Sequence, residues 1–140
     1  MRHFAVCLLA VVAAAACAKS GPTVEVKGKT YTIEIAEDEA SREHGLMDRT
    51  KMDDDHGMLF IFQDDAPRAF WMKNTKIPLD MIFADADRRI VSVTHGAEPC
   101  VTERCPAYTS GAPARYVLEL NAGQAAKLGL TSGDELIVHR

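Results

Sequence analysis

Five consecutive positions, Met58-Leu59-Phe60-Ile61-Phe62, are apolar. Alternate side chains of a strand point to opposite faces, so a run of this kind has to be covered on both sides and belongs in the middle of a sheet. The rest of the chain must supply those covers. Val24 and Val26, then Lys27-Gly28-Lys29, then Tyr31, Ile33 and Ile35 form a period-two hairpin pattern around a glycine turn. Further extended segments are read at Arg68 to Lys73, Leu79 to Ala84, Arg89 to His95, Arg115 to Leu120 and Glu135 to Val138. The acidic turn Asp85-Ala86-Asp87-Arg88 joins the strand Leu79 to Ala84 to the strand Arg89 to His95. Asp38 can cap a short helix that Gly45 stops, and Gln124 to Leu128 reads as one or two helical turns. Cys100 to Pro113 reads as a long loop. The expectation is a mainly β (β-rich α+β) single domain: a sandwich or a distorted, partly closed barrel with two short helices.

The amino terminus has a different character. Arg2 precedes an uncharged apolar run from Phe4 to Ala16, the layout of a secretory signal and too short to span a hydrocarbon core as a stable helix. Ala14-Ala15-Ala16-Cys17 resembles the lipobox of bacterial lipoproteins, although Ala14 stands where Leu is usual. The reading is a signal over residues 1–16, a lipid-attached tether over 17–22 starting at Cys17, and a domain over 23–140. The alternative is cleavage after Ala18, giving a soluble periplasmic or secreted protein. Lipidation is preferred because Cys17 sits where the apolar run ends, directly before the flexible Ala18-Lys19-Ser20-Gly21-Pro22. Ala18 lacks the Asp that, by resemblance to such lipoproteins, retains a protein at the inner membrane, so the outer membrane is favoured. The membrane, reached through the lipid, is thus an expected partner. Losing the signal removes Arg2 and leaves 15 basic against 20 acidic residues. That balance disfavours nucleic-acid binding and docking on anionic lipid by charge alone.

Several blocks carry a resemblance. Gly45-Leu46-Met47, Gly57 to Phe62, Phe70-Trp71-Met72-Lys73-Asn74-Thr75, Ile77 to Phe83, Glu98-Pro99-Cys100 and Ala114-Arg115-Tyr116 look like successive motifs of the uncharacterised bacterial and archaeal family called domain of unknown function 192. The likeness runs from about Val24 to Val138. It implies one compact β-rich domain, often exported, with no established activity.

The residues themselves suggest few sites. Asp80 shares a strand face with Ile82 and Ala84, where an unpaired carboxylate costs several kcal/mol, so it needs partners, and Lys73, Asn74 or Thr75 can supply them. Two readings follow: a pocket floor walled by Trp71, or a structural network fixing the loop between two strands. Asp80 and His95, at one end of adjacent strands, are the only candidate acid and base, which makes a small hydrolase or lyase an alternative. Cys100 and Cys105 are expected to form a disulfide in an oxidising compartment. Met47, Met52, His56, Met58, Met72 and Met81 raise a second alternative, a periplasmic Cu(I) carrier, against an ordinary role for methionine in the core. Arg115 is expected to pair with Glu119 along one face. The leading expectation is a non-enzymatic small-ligand-binding or structural accessory domain of the cell envelope, its partner a small molecule or an envelope protein, with no metal site, cofactor or catalytic residue assigned.

Overall fold

The computed structural model describes residues 21–140. The expected signal and Cys17 lie outside the described residues. Nine elements follow one another: β1 (Thr23–Val26), β2 (Lys29–Ala36), α1 (Glu39–His44), β3 (His56–Trp71), β4 (Leu79–Ala84), β5 (Ile90–Ala97), β6 (Ala107–Asn121), α2 (Gln124–Leu128) and β7 (Ile137–His139). The seven strands form one sheet in the order β5-β4-β6-β3-β2-β1-β7. The sheet curls into a half-barrel, as the distorted-barrel expectation had it.

Local chemistry sets the turns. Lys27 and Gly28 both take positive φ, 47° and 75°, the backbone that a two-residue hairpin between twisted strands requires. Asp38 caps α1 by accepting the Ser41 N–H, and the Ser41 hydroxyl reciprocates toward the Asp38 N–H. β2 and β3 pair in parallel, so the chain must cross between them, and α1 with the loop after it is that crossover. All other pairings between the named strands are antiparallel.

The run Met58 to Phe62 does lie centrally, with β2 on one side and β6 on the other. Its alternation feeds two apolar clusters on opposite faces of the sheet. The first gathers Val24, Tyr31, Leu59, Ile82, Ile90, Leu118, Leu120 and Leu136 from around the curl, with Ala125 of α2. The second gathers Met58, Phe60, Met72, Leu79, Met81, Phe83 and Val117. The sheet's two ends approach at a single isolated bridge, Arg89 with Glu135. There Ile90 N–H donates to Asp134 O at 2.8 Å and Leu136 N–H to Arg88 O at 2.9 Å.

Two segments differ from expectation. Residues 58–62 and 68–73 are one strand rather than two, because β3 continues through register shifts between Ile61 and Ala66 and between Pro67 and Ala69. The region read as a long loop after Cys100 contains the first half of β6, since Ala107 to Ala114 pairs with Trp71 to Ala66. Pro67 and Pro113 face each other in this ladder. Proline usually marks a break, but a two-stranded arm has free outer edges that tolerate it. The irregular ladder bends this arm back over the second cluster. Phe70 then meets Phe60, Phe62 and Phe83 edge to face at 5.0, 6.2 and 5.9 Å between ring centroids.

The Cys100–Cys105 disulfide forms, with Cα atoms 5.8 Å apart. Closing so short a loop is worth about 2 kcal/mol on the chain-entropy estimate. It holds the segment after β3 in place: Cys100 N–H donates to Met72 O at 3.1 Å, and Asn74 N–H to Cys100 O at 2.9 Å. Among the described residues no helix is long and apolar enough to cross a membrane.

Candidate functional site

A cavity of about 280 Å³ opens between α1 and the folded-back arm. Its walls are Phe60, Phe62, Phe70 and Trp71, and its mouth carries Arg42, Glu39, Glu43, His44 and Lys73. Gly45 ends α1 at φ 49°, where a Cβ would lie 3.2 Å from the Phe60 ring. A glycine there lets the helix end settle directly on the cavity wall. Arg42 is anchored by donating to Ile61 O at 3.1 Å, which ties the middle of the helix to β3.

Glu119 belongs to the lining of this cavity. It sits mid-strand in β6, opposite Met58 of β3 and Met81 of β4, and is only 4% exposed. Its carboxyl has no hydrogen-bond or ion-pair partner among the described residues, yet neither oxygen is sealed off. Burial among apolar groups pushes the carboxyl up to about 8, because nothing near it compensates the loss of water around a charge. At neutral pH it is a protonated acid whose O–H has no acceptor among the described residues. The expected pair with Arg115 does not form. The Arg115 guanidinium bonds Asp65 at 2.8 Å instead.

The residues picked from the sequence divide into two groups. Trp71, Lys73 and Thr75 line the cavity, with Trp71 48% exposed and the Lys73 ammonium 5.5 Å from the Trp71 ring centroid. Asn74, Asp80 and His95 do not. Asn74 adopts φ 56°, the left-handed backbone its residue type tolerates, and its carbonyl accepts the Asp48 N–H at 2.8 Å. It is a turn residue. Asp80 is wholly buried on the other face of the sheet, where one oxygen accepts Gly96 N–H at 2.9 Å and the other Ala125 N–H at 2.8 Å. It therefore does from a distance what an N-cap side chain does, joining the first turn of α2 to β5, while Gly123 at the cap itself has no side chain.

The partners expected for Asp80, Lys73, Asn74 and Thr75, are replaced by backbone N–H groups of β5 and α2, so Asp80 ties those two elements together and does not fix the loop before Leu79. His95 is exposed in β5. With both Asp80 oxygens engaged by backbone N–H groups and the side chain wholly buried, the geometry gives an acid–base pair nothing to act on.

The methionines gather on one core. Met58, Met72 and Met81 are sealed in the second cluster, Met52 packs against it, and only Met47 reaches the cavity. His56 is held by Glu34, Nε2 to Oε1 at 2.8 Å, beside a bidentate Arg49. No group of three or more His, Cys, Asp or Glu with metal-binding geometry occurs among the described residues. Sequence reasoning passed over Glu119 because it looked like the surface partner of Arg115. The available signal was its setting, Tyr116-Val117-Leu118-Glu119-Leu120, a carboxylate inside an otherwise apolar strand.

Glu119 makes stability depend on pH. The folded chain holds this proton up to about pH 8, while the unfolded chain releases it near the ordinary value of 4.5. Its contribution is complete below the unfolded value, declines by up to about 1.4 kcal/mol per pH unit through the interval, and levels off above the folded value. The difference in unfolding free energy between wild type and Glu119→Gln, followed by urea denaturation from pH 5 to 9, is expected to shift in favour of the variant as pH rises. A difference that stays flat across that range contradicts a buried, partnerless carboxyl.

Comparison with known proteins bears on the fold and the family. A crystal structure of a proposed transcription regulator from Sinorhizobium meliloti 1021 is 43% identical, with 84% of this chain and 92% of that one covered and a TM-score of 0.77. A crystal structure of a protein of unknown function from Novosphingobium aromaticivorans DSM 12444 is 36% identical, with 82% and 83% covered and a TM-score of 0.76. No curated protein matches the chain. The family model DUF192, described as "Uncharacterized ACR", matches residues 22–138. Nearly the whole described domain falls within that match, and the chain belongs to the DUF192 family.

Proposed function

We propose that this protein is an exported, lipid-anchored domain that binds a small, largely apolar molecule in the cavity between α1 and the β3–β6 arm. The observation that carries the reading is Glu119, a buried acid without a partner among the described residues, on an aromatic-walled cavity. The carboxyl oxygens open onto the cavity, so they meet either water or a ligand there, and a ligand atom that takes the hydrogen bond does so in place of water at a dry, aromatic wall. Apolar walls with one or two placed polar groups are the usual make-up of a small-molecule site. The disulfide and the Asn74 turn brace the rim that carries Trp71 and Lys73, which favours a cavity largely formed before the ligand arrives.

The description of the S. meliloti protein as a transcription regulator does not carry over well. The excess of acidic residues opposes the phosphate contacts on which most nucleic-acid affinity depends. Export rests on the apolar run to Ala16, and anchoring on Cys17.

Trp71 is the only tryptophan of the chain and stands on the cavity wall, so its emission reports entry of a ligand. Titration with a panel of single-ring organic compounds is expected to give a saturable change in Trp71 fluorescence that Ala69→Phe, which fills the mouth from an exposed strand position, abolishes. The absence of any saturable change, or one that Ala69→Phe leaves intact, contradicts binding in this cavity. The anchoring half is tested separately by fractionating cells. Cys17→Ser is expected to move the protein from the membrane pellet to the soluble fraction, and an unchanged distribution overturns lipidation there.

A further inference from the structure

The cavity also discriminates among the molecules that would fit it, an inference that rests on the binding reading above. An apolar cavity of about 150 Å³ holds one benzene; this one, at about 280 Å³, has room for a single ring with a short substituent.

Three features bear on what that substituent is. Glu119 faces Met58 and Met81 across the flanking strands, and neither offers charge or a hydrogen-bond donor. The other titratable groups around the cavity are Glu39, Arg42, Glu43 and His44 of α1 and Lys73 after β3. Among the described residues none of them pairs with the Glu119 carboxyl. A carboxyl so placed carries its proton, consistent with the upward push that burial gives it. It therefore offers a donor, and the complementary ligand atom is an acceptor. Thr75, 5% exposed, adds a hydroxyl whose hydrogen bond within the chain is a long one, 3.5 Å to Lys73 O.

The aromatic walls, by contrast, are poorly placed to take a cation. Ammonium groups are held by ring faces, and here the chain's own cations already stand over two of the four, Phe62 and Trp71. Arg42 lies 5.0 Å and Arg68 3.9 Å from the Phe62 centroid, and Lys73 lies 5.5 Å from that of Trp71. A ligand amine would find the Phe62 and Trp71 faces taken and, past a mouth where Glu39 and Glu43 offset Arg42 and Lys73, a neutral acid inside.

We infer that the cavity selects a single-ring molecule bearing an uncharged oxygen acceptor, such as an aryl ketone or amide, with that oxygen bonded to the Glu119 carboxyl, and disfavours amines of the same size.

Three probes of matched shape test this: acetophenone, cumene and 1-phenylethylamine, each titrated at pH 6.5 against the purified protein with Trp71 fluorescence and amide NMR shifts as readouts. Acetophenone is expected to bind tightest, about threefold to tenfold ahead of cumene, the range a single net hydrogen bond supplies, and the amine weakest. Glu119→Gln keeps a donor and should preserve the order. Glu119→Met, which matches its neighbours in chemistry and volume, should erase the preference for acetophenone over cumene.

Equal binding of acetophenone and cumene to the wild type overturns the inference and leaves the cavity reading standing. So does a preference that survives in Glu119→Met, or an amine that binds tightest of the three. Failure of all three to perturb residues of the cavity removes the cavity reading itself, and this inference with it.

Discussion

Everything in this domain hangs on the register between β3 and β6. Gly57 lies opposite Leu120 and Met58 opposite Glu119, and the approach is so close that a Cβ on Gly57 would come within 2.5 Å of the Glu119 carbonyl oxygen. Only a glycine allows the two backbones this spacing. Once the register is set, the two-residue period of the strand leaves no freedom: Leu118 and Leu120 go to one face, Val117 and Glu119 to the other. A slip by one residue would exchange the two sets, putting an unpaired acid into the first cluster and removing it from the cavity. The same ladder continues into the arm that carries Phe70 and Trp71 back over that face, so the pairing that places the acid also builds the wall around it.

Two buried carboxyls on adjacent strands show how environment separates structural from functional groups. Asp80 pairs across the β4–β6 ladder with Leu120, and Glu119 with the next residue, Met81. They are near neighbours on opposite faces. Asp80 is wholly buried with two backbone N–H groups aimed at it; its role is to join α2 to β5. Glu119 has no partner among the described residues and a cavity in front of it. Both are buried polar groups of the kind that sequence patterning flags. What tells them apart is whether the chain itself completes their hydrogen bonds.

Much of the fold could be read from periodicity and turn chemistry. The hairpin at Lys27-Gly28, the cap at Asp38, the stop at Gly45, the helix from Gln124 to Leu128 and the central position of Met58 to Phe62 each rest on a local rule, and the structure follows it. The arm was not legible, because Pro67, Pro106, Gly111 and Pro113 carry loop signals, and only the pairing between two remote segments turns them into strand. The site was half legible for the same reason. Trp71, Lys73 and Thr75 belong to one conspicuous block, whereas Glu119 and Arg42 reach the cavity from elements whose proximity no spacing rule records. Asp80 was singled out for being a carboxylate on an apolar face, and the same criterion applied to Tyr116 to Leu120 points to Glu119.

The central claim is that Glu119 is a neutral acid that has no partner among the described residues and lines the cavity proposed to hold a ligand. The most direct test is the carbon-13 resonance of the Glu119 side-chain carboxyl, assigned by comparison with Glu119→Gln and followed by NMR from pH 4 to 10. The account predicts a midpoint near 8. A midpoint near the ordinary 4.5 would mean that the carboxyl is charged and solvated at neutral pH, and the account of the cavity would be contradicted.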